Sequence, residues 1–200
     1  MRKASPETRE RLLEAGVAAF SDCGYHGTGL KQVLDRVGVP KGSFYNYFDS
    51  KEQFAAEVIR HYAARSLACL DVINTQPEAD AVAALRCYFS AEIDRCEGKG
   101  IGCLLGNLAA ELGASQELCR RAMAEAMRAS EGRITEAIER GQRAGSIRDD
   151  LPASHLASFL FNAWEGALLR MQVEDSVEPL RLCAELVLDS FFRPRSAKAS

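Results

Sequence analysis

Long apolar runs are missing from this sequence. No 18 consecutive apolar residues occur, which argues against a membrane-spanning helix. Sustained apolar–polar alternation is missing too, so no strand is expected, and there is no internal repeat or low-complexity tract. The seven cysteines, at 23, 69, 87, 96, 103, 119 and 183, form no CxxC pair and no zinc spacing. Their odd number suits neither a disulfide framework nor a secreted chain, so they read as reduced thiols. Cys69, Cys87, Cys119 and Cys183 fall in Ala- and Leu-rich stretches, where cysteine behaves as a small apolar residue. Histidine is scarce: His26, His61 and His155 lie far apart with no ligand-spaced partner, so no metal and no cofactor are expected. Met1 to Pro6 is basic but runs into a charged helix and not an apolar leader, which points to a cytoplasmic address.

Positive charge is not in excess either: 25 Lys and Arg stand against 28 Asp and Glu, a net charge of −3. The balance is uneven along the chain. Residues 1–51 hold eight basic and six acidic side chains, and residues 52–200 hold seventeen and twenty-two. A polyanionic partner would therefore be held by a small, oriented N-terminal site and not by a broad cationic surface.

What is present is helical pattern in a chain of 200 residues that is 47% hydrophobic, long enough to bury a proper core. Ser5 as cap, Pro6 at the first helical position and Glu7 in the first turn open a helix that is expected to stop at Gly24. Leu30, Val33, Leu34 and Val37 then recur at the spacing of one helical face, with Thr28 as the expected N-cap. Gly38 stands where a helix end favours a left-handed residue, and Pro40 follows where a new helix begins. The second short helix spans roughly Lys41 to Phe48. Phe44 and Phe48 share its inner face, while Lys41, Ser43, Tyr45, Asn46 and Tyr47 supply donors and flat rings; either tyrosine is open to being partly buried. Two short helices across a tight turn form a helix-turn-helix whose second member is shaped for a DNA major groove.

The string Gly38 to Phe48, GVPKGSFYNYF, followed by Asp49-Ser50-Lys51-Glu52, resembles the DNA-binding signature of the TetR family of bacterial regulators. The likeness runs from about Thr8 to Phe54 and includes Phe20 and Gly24-Tyr25. It implies an all-α fold: an N-terminal three-helix DNA-binding domain, residues 1–50, and a helical domain for ligand and dimerisation, residues 51–200. By position in the motif, Lys41, Gly42, Ser43, Tyr45, Asn46 and Tyr47 fall on the recognition helix, with Asn46 the candidate for an adenine edge. Thr28, Lys31 and Lys51 are the candidates for the phosphate backbone. The implied partners are a palindromic double-stranded DNA operator and a small-molecule inducer.

Beyond the motif, Ser50 and Gln53 form a capping box for a helix reaching about Asn74, which is expected to carry a signal between the two domains. Helices follow over about 78–96, 103–113, 115–144, 153–173 and 178–192. The last two are apolar over more of their circumference than a monomer core needs, so they are expected to form a four-helix C2 interface with a second copy. Gly98-x-Gly100-x-Gly102 looks superficially like a nucleotide loop, but no strand precedes it.

Cys103 stands apart from the other thiols. It follows the Gly-rich segment at a helix start, with Arg95 and Lys99 close in sequence, a setting that favours the thiolate. With Asn107 and Glu111 it is similar to the corresponding region of TetR-type repressors that sense electrophiles. The other reading is that Cys103 packs as a small apolar residue beside a pocket for a reversible ligand, with Tyr62, Phe89, Met127 and Trp164 as candidate lining; core filling explains those four equally well. No histidine lies near Cys103 in sequence to serve as its base, so an enzyme is not expected. A purely architectural DNA-binding protein would leave the large C-terminal part with no task beyond dimerisation.

Overall fold

The structure is a computed structural model and describes residues 5–75, 81–97, 102–112 and 116–194. The expected roles of Arg2 and Lys3, the Ser115 cap, Lys99 and the Gly98-Gly100 segment lie outside those residues. Among the described residues there is no strand. The helices are α1 (Pro6–Gly27), α2 (Leu30–Val37), α3 (Lys41–Phe44), α4 (Lys51–Thr75), α5 (Ala81–Cys96), α6 (Leu104–Leu112), α7 (Glu117–Arg143), α8 (Ala153–Glu174) and α9 (Glu178–Glu185). A π-helical segment, Leu186–Phe191, continues α9. None of the described helices is long and apolar enough to cross a membrane.

Local chemistry explains most boundaries. The Ser5 hydroxyl accepts the Thr8 N–H at 3.5 Å at the start of α1. The helix does break at Gly24 (φ 67, ψ −177), but it resumes to Gly27, three residues further than the pattern indicated. Positive φ costs glycine little, so the chain turns there without leaving the helical path for long. In α2 the N-cap is Gly29 with no side-chain bond, which corrects the expectation for Thr28. The Thr28 hydroxyl instead points back to the carbonyls of Ala19 and Gly24, at 3.0 and 2.6 Å. Gly38 closes α2 in the left-handed conformation at φ 72. The Ser50 hydroxyl accepts the Gln53 N–H at 3.0 Å, and the Gln53 side chain reaches back to the Asp49 N–H.

The second motif helix is shorter than expected. After Phe44 the bonds tighten to three-residue spacing, Asn46 N–H to the Ser43 carbonyl at 3.1 Å and Tyr47 N–H to that of Phe44 at 2.9 Å. Gly42 and Asn46 are weak helix formers, and the cap of α4 begins two residues after Phe48, so the segment finishes as turns.

The described chain forms two compact units. The first comprises residues up to Arg65 together with Cys103–Met127, so α6 and the first part of α7 share a unit with the helix-turn-helix. Its core includes Leu12, Phe20, Leu34, Ile59 and Leu108 around an aromatic cluster, in which the Phe44, Phe48 and Phe54 rings lie 4.9 to 5.6 Å apart. Each buried ring contributes about 1.5–3 kcal/mol of apolar transfer.

The second unit comprises Ser66–Gly102 and the chain from Arg128 onward. Phe89 packs against Trp164 with centroids 4.6 Å apart and the ring planes tilted by 59°. Arg148 is buried and binds Asp150 with both arms, at 2.6 and 2.7 Å, while its amide donates to the Phe192 carbonyl at 2.9 Å. Arg86 pairs with Asp189. Leu169 and Val173 on α8 are 63% and 79% exposed, and Leu182 and Leu186 are also open. Among the described residues of the unit, none covers that apolar surface.

The cysteines divide unevenly. Cys96 and Cys119 are buried and Cys183 is half-buried, but Cys69 and Cys87 are exposed, which corrects their reading as core fillers. Both sit on outward faces of their helices.

Candidate nucleic-acid interface

The recognition segment is anchored by its phenylalanines. Phe44 and Phe48 are each 1% exposed, so their rings fix the backbone from inside and turn the intervening side chains outward. Lys41, Gly42, Tyr45 and Asn46 are exposed, and Ser43 is partly so. Of the two tyrosines, Tyr45 stands in solvent at 60% exposure with its ring edge-on to Phe44. Tyr47 is the half-buried one, and its hydroxyl accepts the Ser5 N–H at 3.3 Å, tying the start of α1 to the segment.

The cations of the N-terminal region are mostly engaged within the protein. Arg9 binds Glu57 at 3.0 Å, Arg11 donates to the Val37 carbonyl at 3.0 Å, Arg36 faces Asp22 at 3.4 Å, and Lys31 pairs with Asp35 one turn along α2. Lys51 points inward: its ammonium donates to the Tyr25 carbonyl at 2.6 Å and lies 4.4 Å over the Tyr25 ring. Burial lowers its pKa, opposed by the Glu111 carboxylate. Two groups expected at the phosphate backbone are engaged within the protein in this structure. The Lys51 ammonium and the buried Thr28 hydroxyl serve the first unit's own backbone. Lys41, by contrast, is exposed and makes no ion pair among the described residues. A cation beside an amide and a phenol on one outward surface is a set suited to phosphates and base edges.

The candidate sensor residues are divided between the two units. Cys103 precedes α6, where its carbonyl accepts the Asn107 N–H at 3.0 Å. Cys103, Tyr62 and Met127 are half-buried against the core of the first unit. Phe89 and Trp164 belong to the core of the second. Arg95 is paired with Glu92 on α5.

Three arrangements escaped the sequence. His61 meets Glu10 and Glu14, with one ligand atom from each within 4.8 Å of the others, and its Nδ1 lies 3.6 Å from Glu10. Glu52 accepts the Leu118 N–H at 2.9 Å, and Glu111 accepts that of His26 at 3.0 Å. The last two join residues 66 and 85 positions apart, beyond the reach of any local pattern.

An outward cation-amide-phenol surface on a turn fixed by buried rings defines a helix-turn-helix DNA-binding protein. Comparison with known proteins narrows the class. Residues 12–58 match the family described as bacterial regulatory proteins, tetR family, and residues 79–187 match the tetracyclin repressor-like C-terminal domain. The repressor DhaR of Mycobacterium sp. (strain GP1) is 34% identical over 177 residues, covering 88% of this chain and 88% of its own. The repressor NemR of Escherichia coli (strain K12) is 32% identical over 177 residues, covering 87% and 88%. The crystal structure of reduced E. coli NemR superposes with a TM-score of 0.86 at 28% identity, covering 97% of this chain and all of that one. The chain belongs to the TetR family of bacterial regulators.

Proposed function

We propose that this protein is a cytoplasmic, dimeric transcriptional repressor that binds a palindromic operator and leaves it when a small molecule acts on the C-terminal part. Residues 1–50 would be the DNA-binding domain and residues 51–200 the ligand and dimerisation domain. The observation that carries the reading is the exposed Lys41-Gly42-Ser43-Tyr45-Asn46 surface, held outward by buried Phe44 and Phe48. Lys31, exposed on α2, would add a phosphate contact at the cost of its pair with Asp35. Dimerisation would use residues 153–173 and 178–192, whose exposed leucines and Val173 are the surface that lacks a cover.

The inducer in this reading is an electrophile captured by Cys103. Two full-length relatives are named as repressors, and one of them is described in a reduced form, which supports a thiol as the responsive group. With a maleimide, the Cys103 thiolate adds to one carbon of the double bond, forming a C–S bond. The displaced electron pair passes to the carbonyl as an enolate, which takes a proton from water, so nothing is released and the event is stoichiometric. Moving an operator-bound population from 99:1 to 1:99 needs roughly 5.5 kcal/mol of difference between states, which a covalent bond supplies readily.

The test is operator release by N-ethylmaleimide from wild type and from Cys103→Ser. Release of wild type alone is expected. Equal release of both proteins would place the response elsewhere and favour Cys103 as a packing residue beside a reversible ligand, in keeping with its half-buried seat against the core.

A further inference from the structure

The break in α1 is braced from a distant part of the chain. At Gly24 the backbone takes φ 67 and ψ −177, a kink inside α1. The His26 N–H donates to Glu111 Oε2 at 3.0 Å, and the other carboxylate oxygen lies over Gly24, 1.8 Å from where a Cβ would stand. Two more bonds tie the same corner: Lys51 Nζ to the Tyr25 carbonyl at 2.6 Å, and the Thr28 hydroxyl to the Gly24 carbonyl at 2.6 Å. Lys51 and Thr28 belong to the N-terminal part of the chain. Glu111 comes from α6, and the shape of the corner admits its carboxylate because residue 24 has no side chain.

The corner leads directly into the motif, since α2 begins at Leu30. A glycine-centred bend is soft unless something holds it, and a carboxylate accepting a backbone N–H is a short, directional brace. We propose that Glu111 is a positioning residue for operator binding, bracing Gly24-Tyr25-His26 and so setting the direction in which α2 and α3 leave α1. The proposal rests on the operator-binding reading above. Base-edge hydrogen bonds tolerate little angular error, whereas phosphate contacts tolerate much, so the brace acts on specific binding and not on general attraction to DNA. Glu111 is itself exposed, so replacing it opens no core cavity.

The experiment measures anisotropy with a labelled duplex enriched from a random pool by wild-type protein, alongside a scrambled duplex of equal length. Glu111→Ala should weaken binding to the enriched duplex about fivefold, the ~1 kcal/mol of a net hydrogen bond, and leave the scrambled duplex unchanged. Glu111→Gln keeps an acceptor oxygen and should recover most of the loss. The His26 amide proton resonance should move upfield in Glu111→Ala and stay near its wild-type position in Glu111→Gln. Wild-type affinity of Glu111→Ala for the enriched duplex would overturn the proposal, as would a parallel loss on both duplexes. Failure of wild type to enrich any duplex would remove the operator-binding reading, and this inference with it.

Discussion

Asn46 and Lys41 are both exposed on the recognition segment, but their chemistries predict different failures. An amide side chain offers a donor and an acceptor together, so Asn46→Ala should cost about 1–3 kcal/mol on the preferred sequence and relax the preference at one base position, as read by competition among operator variants. A lysine offers charge, so Lys41→Ala should weaken all sequences alike and reduce the slope of log K against log salt by about one. Gly24 predicts a folding effect. A Cβ there meets both a positive φ of 67 and the Glu111 carboxylate, so Gly24→Ala should destabilise the first unit by about 2–3 kcal/mol in urea unfolding. The need for a glycine at a helix end was legible from composition. What it accommodates was not, because Glu111 is 85 positions away.

At the scale of elements, α4 and α7 meet α1 through groups whose titration reports on packing. Burial pushes the Cys119 thiol up to about 11 from its ordinary 9.0, with Glu52 adding to the rise. Burial raises Tyr25 in the same sense. A raised folded-state pKa leaves stability complete below the unfolded value and removes it as pH climbs toward the folded one. The unit should therefore lose stability between about pH 9 and about pH 11, and Cys119→Ala should flatten that part of a thermal-midpoint profile. Lys51 works oppositely, since burial lowers it. Its ammonium is engaged by the Tyr25 carbonyl, so Lys51→Met should lower stability by about 1 kcal/mol while leaving the salt slope of DNA binding unchanged. Periodicity located α2 to the residue, because an amphipathic octet between two glycines has few alternatives. It overextended α3, where ring burial and turn bonds compete with helix propagation over only eight residues.

For the whole molecule, the proposed role of the exposed apolar residues on α8 and α9 is assembly. Leu169→Glu places a charge in the proposed interface twice, once per copy, and should raise the dimer dissociation constant at least about a hundredfold in sedimentation equilibrium. Operator affinity should fall with it, because one recognition segment per DNA forfeits the second half-site.

The order of amino acids alone determined that the fold is all-α, where α1 and α2 begin, and that Lys41 to Phe48 presents polar groups on a segment anchored by two phenylalanines. Those properties depend on neighbours within a few positions, which caps, glycines and periodicity report directly. Tertiary structure alone decided which of the polar residues remain available. Lys51, Thr28 and Tyr47 are drawn into bonds with α1 and its flanks, and Glu111 is brought to a glycine in a helix it never adjoins in sequence. Whether a donor faces solvent or a carbonyl depends on helices meeting across the fold, and no local pattern records that meeting.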